Sequence, residues 1–166
     1  MYTKNIIFYF SLFFSTIVCI GQENNSWLIN YEEVYQKSIS EKKPIMANFT
    51  GSDWCGWCKK LKKAVFDTEV FKKWAKENVI LFELDYPRRA SQDPEIKSQN
   101  EQLRQTFQQY VRGYPTVLIF KVERAFGEDG EREKDNIELY AGKLGYMPTP
   151  ESFIEKASNI IQSNKK

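Results

Sequence analysis

Apolar residues along this chain fall into two rhythms, one recurring every three to four positions and one made of short unbroken runs, and the two alternate. After a lead holding Trp27 to Ile29, Asn30 and Glu33 stand in capping-box spacing, and Tyr31, Val34, Tyr35 and Ile39 share one face, which predicts a helix. Pro44 bars helical geometry from the residue before it, and the apolar run in "PIMANFT" predicts a buried strand. From Gly56 onward Leu61, Ala64 and Val65 recur at helical spacing, and Asp67 is placed to cap a continuation bearing Val70, Phe71 and Trp74. "NVILFELDY" is nearly continuous in apolar residues, as a central strand covered on both faces should be. The polar stretch from Pro87 to Gln99 predicts a loop leading into a helix marked by Leu103, Phe107, Tyr110 and Val111.

The second half predicts a strand in "PTVLIFKV", a charged hairpin connection in "ERAFGEDGEREKD" and a returning strand in "NIELYAG". A last helix starts with Thr149 as cap and Pro150 at its first position, and carries Phe153, Ile154, Ala157, Ile160 and Ile161 on one face. Strands separated by helices are expected to pair in parallel, with the final hairpin adding an antiparallel edge, so the fold class is α/β, a mixed central sheet with helices on both faces. The chain shows no internal repeat, and 166 residues suit one domain.

The first 21 residues break this pattern. A single charge at Lys4 precedes the apolar run from Ile6 to Ile20, with Cys19 and Gly21 at the small-residue positions before the polar "QENN". This is the layout of a signal peptide over residues 1–21, cleaved after Gly21, which leaves 22–166 as the domain and makes the protein exported, periplasmic or secreted. The run is short of the ~20 apolar residues that span a bilayer. A lipid anchor at Cys19 is the weaker alternative, because Val18 is bulkier than the residue such signals place there.

Composition changes the picture little. The net charge of +2 gives no reason to invoke nucleic acid or an anionic membrane, and the apolar share of 42% is that of an ordinary globular chain. Cysteine use is more informative. Once Cys19 is removed, Cys55 and Cys58 remain as one pair in a chain sent to a compartment where disulfides persist.

Four chemistries compete for that pair. A structural zinc needs four cysteine or histidine ligands, and the chain has no histidine and no second cysteine pair. Covalent haem attachment requires histidine where Lys59 stands. A stapling disulfide would close so small a loop that it would stabilise little. Thiol chemistry fits the position best: Cys55 falls at the start of the predicted helix, where unpaired N–H groups and the helix dipole favour a thiolate, and Cys58 lies one turn on, within bonding reach. The Cys55 thiolate would attack a disulfide and Cys58 would resolve the mixed disulfide, or the steps would run in reverse. Lys59, Lys60, Lys62 and Lys63 add positive potential, although such a run is more often a solvated face. No metal and no cofactor is called for.

Trp54-Cys55-Gly56-Trp57-Cys58 at a strand-to-helix junction, with Gly113-Tyr114-Pro115-Thr116 opening a later strand, resembles the thioredoxin superfamily from about Tyr31 onward, and most closely its exported bacterial members. The resemblance implies a thioredoxin-like fold and a thiol-disulfide oxidoreductase, acting chiefly as a reductase of client proteins, with oxidation, isomerisation or peptide binding without catalysis as its alternatives. It implies Cys55 as an exposed nucleophile, Cys58 as a buried resolving thiol, Pro115 in the cis form, and a substrate groove bordered by Trp54, Gly56, Trp57, Tyr114 and Pro115. It also implies a membrane-bound electron donor in trans. Where thioredoxins carry a buried aspartate this chain has Asn48, which cannot take a proton, and Glu83 on the neighbouring predicted strand is the candidate to replace it.

Overall fold

The computed structural model describes residues 26–164, without the side chains at 132 and 133; the expected signal segment 1–21 and Cys19 lie outside the described residues. Asn30 starts the first helix as its spacing predicts, its side chain accepting the Glu33 N–H at 3.1 Å, and α1 runs over Tyr31–Glu41. Its buried face differs by one position from the expected one. Ile39 is exposed and Ser38 is buried instead, its hydroxyl donating at 2.6 Å to the carbonyl of Lys43, just past the helix end.

β1, Ile45–Thr50, is buried along its whole length. The chain then enters α2, Gly56–Leu61, widens into a single π turn over Lys62–Phe66, and resumes as α3, Glu69–Asn78. Thr68 caps α3, its hydroxyl accepting the Phe71 N–H at 3.3 Å. Asp67, the expected cap, instead closes the π turn and pairs with Lys62, because the wider turn shifts the next helix start by one residue.

β2, Ile80–Asp85, is followed by α4, Pro94–Thr106, which begins inside the stretch expected to be loop. Asp93 caps α4 by accepting the N–H groups of Glu95 and Ile96 at 2.8 and 3.2 Å, and Pro94 takes the first helical position, where a missing N–H costs nothing. Tyr110 and Val111 fall beyond its end. β3, Thr116–Phe126, and β4, Arg132–Leu139, extend further into the charged stretch than expected and leave a turn at Gly127–Glu131. α5, Pro150–Ser163, has Thr149 as its cap, as predicted.

The sheet order is β2-β1-β3-β4, which corrects two expectations. β2 is an outer strand, and β1 and β3 are the central ones. β1 and β2 are parallel, but β3 is antiparallel to β1 although a helix separates it from β2. The reason lies in where the connection ends: β2 finishes at Asp85 opposite Thr50, and β3 starts at Thr116 opposite Phe49, so the chain re-enters from the end it left. The lead segment covers the outer edge of β2, with Leu28 N–H donating to Leu81 O at 3.0 Å and Leu28 O accepting the Glu83 N–H at 2.8 Å.

Strand alternation sends side chains to two cores. Met46, Leu81, Val117 and Ile119 pack with Phe66 and Phe71 and with Phe153, Ala157 and Ile161 of α5 on one face. Ile45, Phe49, Phe82, Leu118 and Phe120 pack with Val34, Leu103 and Phe107 on the other. Arg124, barely exposed, joins α1 to the hairpin: its guanidinium pairs with Glu32 at 2.8 Å and Asp135 at 2.9 Å and lies 3.8 Å above the Tyr35 ring.

Candidate active site

Between β1 and α2 the chain makes a tight turn in which the Gly51 carbonyl accepts the Trp54 and Cys55 N–H groups at 3.3 and 2.8 Å. Gly51 is required by close approach, since a Cβ there would lie 2.5 Å from the Trp54 indole. Cys55 then takes extended backbone as the cap of α2, and its Sγ accepts the Cys58 N–H at 3.1 Å. Cys55 and Cys58 are joined as a disulfide with their Cα atoms 5.3 Å apart. Both are nearly buried, at 6% and 5% exposure, so in this oxidised form Cys55 lacks the exposure expected of it. Its surroundings explain this, because bulky side chains stand on each side of the pair.

Trp54 is half-buried, its Nε1–H donating to the Tyr86 carbonyl at 2.9 Å and its ring meeting Tyr114 edge-on at 5.7 Å. Tyr114 in turn stacks on Tyr86 at 5.5 Å, and its bond to Pro115 is cis. Burial pushes the phenols of Tyr86 and Tyr114 up, so both stay neutral in this wall. On the other side Trp57 is 54% exposed and its ring lies 4.8 Å from that of Tyr146. Gly56 between them is exposed, and a Cβ added there meets nothing within 4 Å, which leaves the surface beside the disulfide open.

The loop after β2 is strapped onto this turn. The Asp53 carboxylate accepts the N–H groups of Arg88, Arg89 and Ala90 at 3.1, 2.6 and 3.0 Å, and Asp85 accepts from the Ser52 N–H and hydroxyl at 2.8 and 2.6 Å. Desolvation works to raise the Asp53 carboxyl, but those N–H donors outweigh it and hold the group below its ordinary value. The Arg88 guanidinium lies 3.8 Å above the Trp54 ring.

Beneath the disulfide, Cys58, Asn48, Thr50, Lys62 and Glu83 border a cavity of about 110 Å³. Asn48 and Glu83 are register partners across β1 and β2, so the two candidate relay residues reach the same space as Cys58. Asn48 Oδ1 is buried and has no hydrogen-bond partner among the described residues. Burial, and then the neighbouring Asp85 carboxylate, push the Glu83 carboxyl up, with Lys62 opposing.

The structure thus brings Asn48 and Glu83 to one cavity with Cys58, and sets Trp54 with Tyr114 on one flank of the pair and Trp57 on the other, Pro115 following Tyr114 in the cis form. Tyr146, Asp53 and Arg88 join them without having been foreseen. Tyr146 lies 89 positions from Trp57, and no local signal brings two such residues together.

A thioredoxin-like family model matches residues 26–121, more than half of the chain. The chain belongs to the thioredoxin-like family. Among curated proteins it is 32% identical over 104 residues to "Disulfide bond reductase DsbH" of Chlamydia pneumoniae, a match covering 63% of this chain and 61% of that protein. It is 33% identical over 119 residues to "Thioredoxin-related protein DsbJ" of the same organism, covering 72% of this chain and 32% of that one. The matches thus span less than two thirds of either relative. The solved structure of a DsbH oxidoreductase superposes with a TM-score of 0.65 at 25% identity, covering 82% of this chain and 84% of that one. This thioredoxin-like chain carries the family's mixed four-stranded sheet. Among its described residues no helix is long and apolar enough to cross a membrane.

Proposed function

We propose that this protein is an exported thiol-disulfide oxidoreductase that reduces disulfides of client proteins through Cys55 and Cys58. The observation that carries this reading is the Cys55–Cys58 disulfide at the head of α2, with the Cys58 N–H directed at the Cys55 sulfur. In the reduced protein the same N–H and the helix dipole favour a thiolate at Cys55. That thiolate attacks one sulfur of a client disulfide, forming a mixed disulfide and expelling a client thiolate. Cys58, having lost its proton, attacks the Cys55 sulfur; the intramolecular disulfide forms, and the second client thiolate leaves and is protonated. Two electrons pass to the client.

The resolving proton needs an acceptor. Glu83 opens onto the cavity beside Cys58, and a carboxyl pushed up by burial is a stronger proton acceptor than a free one. Trp54, Trp57, Tyr114 and Pro115 give the client its apolar wall. Export rests on the sequence of residues 1–21, and regeneration of the dithiol in an oxidising compartment on a membrane-bound reductant in trans. The reductase direction is supported by the name of the Chlamydia pneumoniae relative.

Insulin reduction by the dithiol form tests the reading. Wild type should precipitate the insulin B chain, Cys55→Ser should not, and Cys58→Ser should accumulate a client mixed disulfide. Equal rates for wild type and Cys55→Ser would leave only a binding module. A reduction potential in the range of strong oxidants would reverse the direction.

A further inference from the structure

Along the loop that holds the cis Tyr114–Pro115 bond runs a groove of about 430 Å³ that includes Tyr114, Pro115 and Gly145 and is edged by Arg112, Lys143 and Lys156. Two aromatic contacts join it to the turn that carries the sulfur pair: Tyr114 meets Trp54, the residue before Cys55, and Tyr146, next to Gly145, meets Trp57 between the two cysteines. All three cations are exposed, and among the described residues none of them shares an ion pair. No carboxylate lines the groove. The carboxylates nearer the cysteines lie elsewhere: Glu83 on the cavity beside Cys58, Asp53 against the N–H groups of residues 88–90, Asp85 against Ser52, and Asp67 paired with Lys62. A groove edged by three unmatched cations and lined by no carboxylate attracts negative charge locally and repels positive charge.

We propose that this groove selects clients in which the disulfide lies in an extended segment bearing Asp or Glu beside the reacting cysteine, with Arg112, Lys143 and Lys156 as the specificity-determining residues. The inference rests on the oxidoreductase reading, and names its substrate class. An acidic segment laid along Pro115 and Gly145 brings its carboxylates to the three cations while its disulfide faces Cys55. The attraction is between exposed charges, so it acts mainly on encounter and weakens as salt shortens the Debye length.

Three disulfide-bearing peptides of one length, with acidic, neutral or basic residues flanking the cysteine, test this against the reduced protein. Each rate is divided by the same protein's rate on the neutral peptide. Wild type should reduce the acidic peptide about tenfold faster than the basic one at low salt, with the ratio falling toward one at high salt. Replacing the cations together, R112E, K143E and K156E, should reverse the preference, a result that loss of fold cannot mimic. A wild-type ratio near one at low salt, or an unchanged ratio in the triple variant, overturns the proposal while leaving the reductase reading intact. Failure of wild type to reduce even the neutral peptide would sink that reading itself. If vesicles of anionic lipid block reduction while peptide charge makes no difference, the groove is a membrane contact and the proposal falls.

Discussion

Burial raises the Glu83 carboxyl beside Cys58, and this has consequences for both stability and rate. The folded protein holds that proton more tightly than the unfolded chain does, so between the two pKa values folding takes up a proton. Its contribution is fully present below the unfolded value of about 4.3 and is lost as pH rises through the higher folded value. Glu83→Gln should therefore gain melting temperature relative to wild type as pH rises, which thermal melts across pH 4 to 9 would show. The same variant should slow release of client from the mixed disulfide about tenfold or more, read by acid-quenched thiol trapping. Equal release rates at every pH would remove Glu83 from the proton path and leave only its effect on stability. Asn48 is the complementary case: its buried Oδ1 has no hydrogen-bond partner among the described residues and an amide cannot take a proton, so Asn48→Asp should add a second titrating group to the same cavity and complicate the pH profile of release.

Among the elements, the turn that presents the cysteines depends on contacts a short sequence window only partly reveals. Gly51→Ala drives a methyl into the Trp54 ring and should break the indole bond to Tyr86, costing about 1–3 kcal/mol in chemical denaturation. Thr68→Ala should cost about 1 kcal/mol as a lost helix cap, and Asp67→Ala clearly less, an order that would be inverted if Asp67 were the cap. Caps backed by a second residue within three positions were legible: Asn30 with Glu33, and Thr149 with Pro150, mark their helix starts directly. Asp67 and Thr68 are equally good caps side by side, and only the π turn, which pattern does not show, decides between them. Asp93-Pro94 is also a helix start, but proline after a polar run reads as loop when nothing fixes the frame. The antiparallel β3 was hidden for a different reason, since strand direction depends on where a connection lands and not on the residues in the strand. In the candidate site the cysteine pair and the Pro115 loop declare themselves by motif, whereas the Trp57–Tyr146 contact and the Asp53 strap exist only once distant segments meet.

The whole molecule has a core on each face of its sheet, and neither core contains Cys55 or Cys58. The loop between Cys55 and Cys58 is so short that closing it is worth about 2 kcal/mol by chain entropy. A doubly substituted Cys55→Ser, Cys58→Ser protein should therefore stay folded and lose no more than about that amount, measured by urea denaturation. A loss large enough to unfold it would make the bridge structural and remove the reason to regard it as a reaction centre. The lead residues have a role of another kind. By occupying the Leu81 carbonyl and the Glu83 N–H on the outside of β2, Leu28 blocks part of an edge on which another strand could pair. A recombinant version trimmed to start at Tyr31 would bare that strand, and β-sheet aggregates would be its failure mode.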